Sequence, residues 1–283
     1  MELNLTIKAN VRNLLAENGL FPKKNLGQNF LTDAHVLAKI VAAADVSSDE
    51  LIIEVGPGLG VLTSALASQA GKVVAIEIDS NLVPILQKNA APNVQIINQD
   101  ILKTDIGETI ANAGFSSAKL VANLPYYITT PIIFNILENN LPIKSMVVMV
   151  QKEVADRMLA APSTKAYGLL TLSIAYFGRV SLVANVPPNS FFPRPDVHSA
   201  VVKIDVAPHS GISRAAFADI TKAAFANRRK TLQNCLANSS LALSKDNAAD
   251  LIKQAALPES IRGEALTFED FALLTKIYEQ AFS

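Results

Sequence analysis

The chain has little sulfur and little histidine: one cysteine, Cys235, and three histidines, His35, His198 and His209, in 283 residues. A single cysteine excludes an internal disulfide and fits a reducing compartment. None of the histidines reads as the histidine of a hydride-transfer site, and no metal site is expected. There is no excess of either charge, with 25 basic against 25 acidic side chains, so the chain lacks the overall basic footprint usual for binding nucleic acid. No apolar run is long enough to cross a bilayer. The start, MELNLTIKANVRNLLAENG, mixes apolar and polar residues at helical spacing and does not read as a signal peptide. A soluble cytoplasmic protein is expected, with no internal repeat and no low-complexity tract.

What is present is apolar material, 50% of all residues, enough for one large domain and a small one. The neutral total hides an asymmetry. Residues 1–150 carry 10 basic and 13 acidic side chains, and residues 151–283 carry 15 and 12. Lys222, Arg228, Arg229 and Lys230 fall in a stretch without an acid. Any contact with nucleic-acid phosphates must therefore be local.

From residue 51 the pattern alternates. LIIEV, VVAIEI, VQIINQD, KLVAN and SMVVMV are short apolar runs suited to buried strands. VLTSALASQA, NLVPILQKNA and PIIFNILENN between them have helical character. The alternation predicts a parallel sheet with helices on both faces. Gly56, Glu77, Asp100 and Asn123 follow at intervals of 21, 23 and 23 residues, about one strand–helix unit each. All four should sit at the carboxyl edge of one sheet, where open α/β sheets bind ligands. Beyond residue 150, LLTLSIAYFGRVSLVANV and SAVVKIDV read as longer, antiparallel strands. Residues 213–283 show only helical periodicity. The division expected is a sheet domain over 1–206 and a helical domain over 207–283.

EVGPGLG (Glu54–Gly60) follows a strand and opens a helix; its glycines allow a tight turn and a close approach of backbone to ligand. Glu77, ending the next strand, can accept hydrogen bonds from ribose hydroxyls. The pair indicates an adenosine-containing cofactor without deciding which. Asp100 can accept the amino group of an adenine, or can cap the helix that follows it.

NLPY (Asn123–Tyr126) is the most specific feature. The nitrogen of an aromatic amine is a poor nucleophile because its lone pair is delocalised into the ring. Acceptors for its two N–H groups, here the Asn123 amide oxygen and the Leu124 carbonyl, favour a pyramidal nitrogen. Pro125 stiffens the turn, and Tyr126 offers a face for stacking a base. Transfer of a methyl group to such an amine is governed by positioning and electrostatics.

GQNFL (Gly27–Leu31), EVGPGLG, NLPYYITTPI, VQKEVADRM and FFPRPDVHSAVV, in this order, resemble the rRNA adenine N6,N6-dimethyltransferase family, and within it the bacterial small-subunit (16S) branch. FANRRKTLQNCL and RGEALTFEDF extend the resemblance over nearly the whole chain. It implies a Rossmann-like class I methyltransferase sheet with antiparallel C-terminal strands and a small all-helical domain. It also implies S-adenosyl-L-methionine as cofactor, held by Asn29, Leu31, Gly56, Gly58, Glu77, Asp100 and Asn123. The target adenine would be clamped between Tyr126 and Phe191, and Lys222, Arg228, Arg229 and Lys230, on one helix, would meet rRNA phosphates. The implied substrate is two adjacent adenosines in a hairpin loop near the 3′ end of 16S rRNA in the assembling small subunit, with the protein acting as a monomer. The alternatives are a 23S rRNA enzyme of the macrolide-resistance type and a non-catalytic assembly factor on the same fold.

Overall fold

The apolar runs become strands because a parallel sheet covered on both faces has no solvent side to reserve for polar residues. The computed structural model describes residues 3–282. In chain order the strands are β1 (Phe30–Leu31), β2 (Leu51–Val55), β3 (Lys72–Glu77), β4 (Val94–Asn98), β5 (Ala118–Asn123), β6 (Ile143–Gln151), β7 (Gly178–Val186), β8 (Phe191–Phe192) and β9 (Ser199–Val206). Seven form one sheet in the order β4-β3-β2-β5-β6-β9-β7, and β1 pairs with β8 apart from it. β4 through β6 run parallel; β9 lies antiparallel to β6.

This order places the site. The chain moves outward from β2 to β3 to β4, then crosses back to lay β5 against the other side of β2. The carboxyl ends of β2 and β5 therefore adjoin where the winding reverses, and a crevice opens there. On one face Ile52, Val73, Val121 and Val147 pack with Ile40 and Val41 of the helix Ala34–Ala44 and Leu62 and Leu66 of the helix Val61–Ala67. Ile53, Val74, Leu120 and Val148 alternate with those sheet residues and are equally buried, so the opposite face is covered too.

Two readings after residue 150 are corrected. LLTLSIAYF is a helix, Leu169–Phe177, and only the following Gly178–Val186 is strand. Six of those nine helical residues are buried; with little polar face left, periodicity does not separate helix from strand. The Thr171 hydroxyl accepts from Gly168 N–H and donates to the Arg157 carbonyl, using one of the helix's open N-terminal donors. The single boundary after residue 206 also changes. Two compact units form, Met1–Ala155 with Ser181–Val206, and Asp156–Val180 with Ala207–Ser283. Residues 156–180 join the helical unit because their aromatic side chains have partners there: Tyr176 lies 5.3 Å from the Phe217 ring, Tyr167 lies 5.8 Å from Phe225, and the Tyr167 hydroxyl donates to the Leu266 carbonyl at 2.6 Å.

Within the helical unit, RAAFADITKAAFANRRKTLQNCLA is two helices, Arg214–Phe225 and Leu232–Ala237. Asn227 makes the break: its side-chain oxygen accepts from Arg229 N–H at 3.2 Å and its carbonyl from Lys230 N–H at 3.1 Å, a local turn that competes with helix.

Candidate active site

The glycine turn leaves β2 with Gly56 at φ 67° and Gly58 at φ 62°, a left-handed conformation that costs an L side chain about 1–2 kcal/mol. A Cβ on Gly58 would also come within 3.1 Å of the Phe30 ring. The turn is tied to the next strand end, since Gly58 N–H donates to Glu77 Oε2 at 3.1 Å. The other Glu77 oxygen accepts from Asp79 N–H at 2.8 Å. Burial raises the Glu77 carboxyl above the ordinary glutamate range, against the pull of those amides.

Asn29, Leu31, Gly56, Gly58, Glu77 and Asp100 all line one cleft at the carboxyl edge. Asn123, Leu124, Pro125 and Tyr126 line the same cleft. Asp100 lines the cleft and also caps a single 3-10 turn, accepting from Leu102 N–H at 3.0 Å.

The NLPY loop is fixed from several sides. Asn123 Nδ2 donates to the Asn29 carbonyl at 3.0 Å, which leaves Oδ1 as the amide's remaining acceptor. Leu124 N–H donates to the Met149 carbonyl at 3.2 Å, continuing the β5–β6 pairing past the strand end. The Pro125 carbonyl accepts from Ile128 N–H and from the Thr129 hydroxyl. The Tyr126 hydroxyl bonds the fully buried Ser199 Oγ at 2.6 Å, and burial raises its pKa, so the ring stays neutral. The result is a held amide oxygen beside an aromatic face, an arrangement able to receive a planar amine.

Phe191 does not join this group. Its side chain is 1% exposed and packs in the main core with Leu31, Val186 and Val201. β8 pairs Phe191 with Leu31 and Phe192 with Phe30; strand alternation sends the first pair inward. The side chain expected as the second jaw of a clamp is therefore packed in the core and does not line the cleft. The basic cluster is corrected as well. Arg228, Arg229 and Lys230 lie in the turn between two helices, not along one. The Arg228 guanidinium donates to the Lys165 and Tyr167 carbonyls, lies 3.9 Å from Glu264 and sits over the Phe225 ring. Lys222, Arg229 and Lys230 are exposed.

Three cleft residues were not singled out from the sequence. Gln28 and Tyr127 line it; Tyr127 is the second tyrosine of NLPYY and 54% exposed. Glu54 is 1% exposed and its Oε2 has no hydrogen-bond partner. Burial, with the charge of Glu77 added, pushes its carboxyl up to about 8. An acid inside the apolar strand LIIEV was the available signal. Among the described residues no cluster of histidine, cysteine and carboxylates could hold a metal, and no helix is long and apolar enough to cross a membrane.

Residues 21–279 match the ribosomal RNA adenine dimethylase family. The chain is 47% identical over 266 residues to ribosomal RNA small subunit methyltransferase A of Lachnoclostridium phytofermentans, covering 91% of this chain and 92% of that protein. A dimethyladenosine transferase from Plasmodium falciparum superposes with a TM-score of 0.76 at 27% identity, over 88% of this chain and 97% of that one. The 23S rRNA methyltransferase ErmE superposes with a TM-score of 0.69 at 23% identity, over 89% and 100%, a likeness of fold. With the strand order and the cleft, these likenesses make the sheet a class I methyltransferase fold. The chain belongs to the ribosomal RNA adenine dimethylase family.

Proposed function

We propose that the cleft binds S-adenosyl-L-methionine and that the protein transfers methyl groups to the N6 amines of two adjacent adenosines of 16S rRNA in the assembling small subunit, acting as a monomer in the cytoplasm. The observation that carries this reading is Asn123, whose amide nitrogen is occupied by Asn29 and whose oxygen is left to accept from an amine at the edge where β2 and β5 meet. The cleft also suits the cofactor's chemistry. Glu54 offers an unpartnered buried oxygen for a cationic or donor group, Glu77 a carboxylate for ribose hydroxyls, and Asp100 an acceptor for the adenine amine. The Gly56 and Gly58 backbone can approach the ligand closely, and Asn29 and Leu31 close the cleft from the chain before β2. Bound there, the cofactor supplies an activated methyl group on sulfur. Asn123 Oδ1 and the Leu124 carbonyl accept the amine's N–H groups, Pro125 holds the turn, and Tyr126 stacks the extruded base.

The helical unit is the proposed rRNA-binding part, with Lys222, Arg229 and Lys230 meeting phosphates and Arg228 holding the turn that presents two of them. The small-subunit substrate is favoured by 47% identity over nine-tenths of a relative named for that subunit, whereas the 23S enzyme shares the fold alone. Labelled-methyl incorporation tests the reading: 30S particles should accept methyl groups from the wild type and not from Asn123→Ala. Equal labelling of naked 23S rRNA would overturn the substrate; no labelling of any RNA would overturn the activity.

A further inference from the structure

Asp79, two residues past the end of β3, is 4% exposed and does not line the cleft. A carboxylate so placed commonly closes a local turn, and Asp79 Oδ1 does accept from Asn81 N–H at 3.1 Å. Its remaining partners are remote. Lys23 Nζ donates to Oδ1 at 2.7 Å across 56 residues of sequence, and Gln28 Nε2 donates to Oδ2 at 2.7 Å across 51. The two partners are also tied together, Lys23 N–H donating to Gln28 Oε1 at 2.8 Å. Burial alone would raise the Asp79 carboxyl; the bonds from Lys23 and Gln28 outweigh it and hold it below the usual carboxylate range.

The strap that Asp79 holds, residues 23–29, is the one that reaches the NLPY loop. A Cβ on Gly27 would lie 3.5 Å from the Tyr127 ring and 3.6 Å from Pro125, and the Asn29 carbonyl takes the Asn123 amide. The Asp79 backbone N–H meanwhile donates to Glu77. One buried residue thus sits at the junction of the strap and the acid at the β3 end.

We propose that Asp79 is a positioning residue, a latch that pins the 23–29 strap through Lys23 and Gln28 so that the Asn29 carbonyl orients Asn123 and the cleft keeps its closed wall. The latch deepens the reading of the cleft as a cofactor site and rests on it for its effect on catalysis. Asp79→Asn keeps the backbone donor to Glu77 while discarding the charge that holds Lys23.

The test uses the full chain as wild type, Asp79→Asn and Lys23→Met. Hydrogen exchange without cofactor should be faster by about tenfold or more at residues 24–29 in Asp79→Asn, with β2 to β5 unchanged. Affinity for S-adenosyl-L-homocysteine by calorimetry should weaken about tenfold, and KM for the cofactor should rise by more than kcat falls. Lys23→Met should move each readout the same way by a smaller factor. Unchanged exchange at 24–29 would overturn the latch. Exchange accelerated equally over β2 to β5 would also overturn it, making Asp79 a folding residue. A wild type that fails to bind S-adenosyl-L-homocysteine, yet shows the strap-specific change, would overturn the cofactor reading and support the latch.

Discussion

The side-chain amide of Asn123 donates to the backbone carbonyl of Asn29 across 3.0 Å, joining the end of β5 to a segment 94 residues earlier in the chain. The bond assigns the amide's two ends. Its nitrogen faces Asn29, so that in the proposed reaction its oxygen is the end left to accept from an amine. An amide free to rotate would present a donor to the incoming amine about as readily as an acceptor.

Replacing Asn123 should therefore act on the chemical step. Asn123→Ala is expected to lower kcat by roughly 10²–10³, the usual effect of losing one preorganised electrostatic partner, while affinity for S-adenosyl-L-homocysteine falls much less. Single-turnover transfer and calorimetry on the same preparation measure both. An equal loss in both would make Asn123 a cofactor ligand and not the amine's acceptor.

Phe191 should behave as core. Its ring is fully buried among Leu31, Val186 and Val201, so Phe191→Ala should cost about 3–5 kcal/mol of stability. Urea denaturation reads this directly. Methyl transfer per folded molecule should stay near the wild-type rate, whereas Tyr126→Ala should lower transfer per folded molecule, at a cost in stability of about 1–3 kcal/mol for the Ser199 hydroxyl left unpaired.

Glu54 gives the protein a pH-dependent stability. Its carboxyl is pushed up to about 8 by burial, from an ordinary value of 4.5. Between those two values the folded protein keeps a proton that the unfolded chain releases. Stability should thus fall as pH rises through that window, by roughly 1–1.5 kcal/mol per pH unit, and level off above it. Glu54→Gln should flatten most of the slope; Glu77, also raised by burial, leaves a smaller one. Denaturation midpoints at pH 5, 6.5 and 8 decide it, and a wild type that gains stability over this range would contradict the assignment.

The basic cluster should divide in two. Arg228→Met removes the donors to the Lys165 and Tyr167 carbonyls and should cost about 1–2 kcal/mol, discounted for the arginine's partial exposure. Arg229→Glu with Lys230→Glu should leave the melting temperature in place, weaken RNA binding and flatten its salt dependence. Filter binding across a salt series separates Arg228 from the pair; an unchanged salt slope would remove Arg229 and Lys230 from the interface.

The sheet was legible because its signals are local. LIIEV and its successors are continuous apolar runs, and the regular spacing of Gly56, Glu77, Asp100 and Asn123 marks strand ends that recur once per unit. Ten residues expected in the cleft on those grounds, or from the resemblance, do line it. The errors fall where neighbouring residues carry no distinguishing mark. LLTLSIAYF is apolar on nearly every side, and Asn227 breaks a stretch whose flanks both favour helix.

By itself the sequence determined which strands form, where their ends fall and which side chains wait at those ends, because periodicity and glycine turns act over a few residues. Only the tertiary structure decided how those side chains are spent. It buried Phe191 where a stacking partner was expected, because a two-residue strand must send one of two adjacent rings inward. It committed Arg228 to backbone carbonyls and left Arg229 and Lys230 in solvent. It also joined Asn123 to Asn29 and Asp79 to Lys23 and Gln28, bonds between residues more than fifty positions apart that no local pattern encodes.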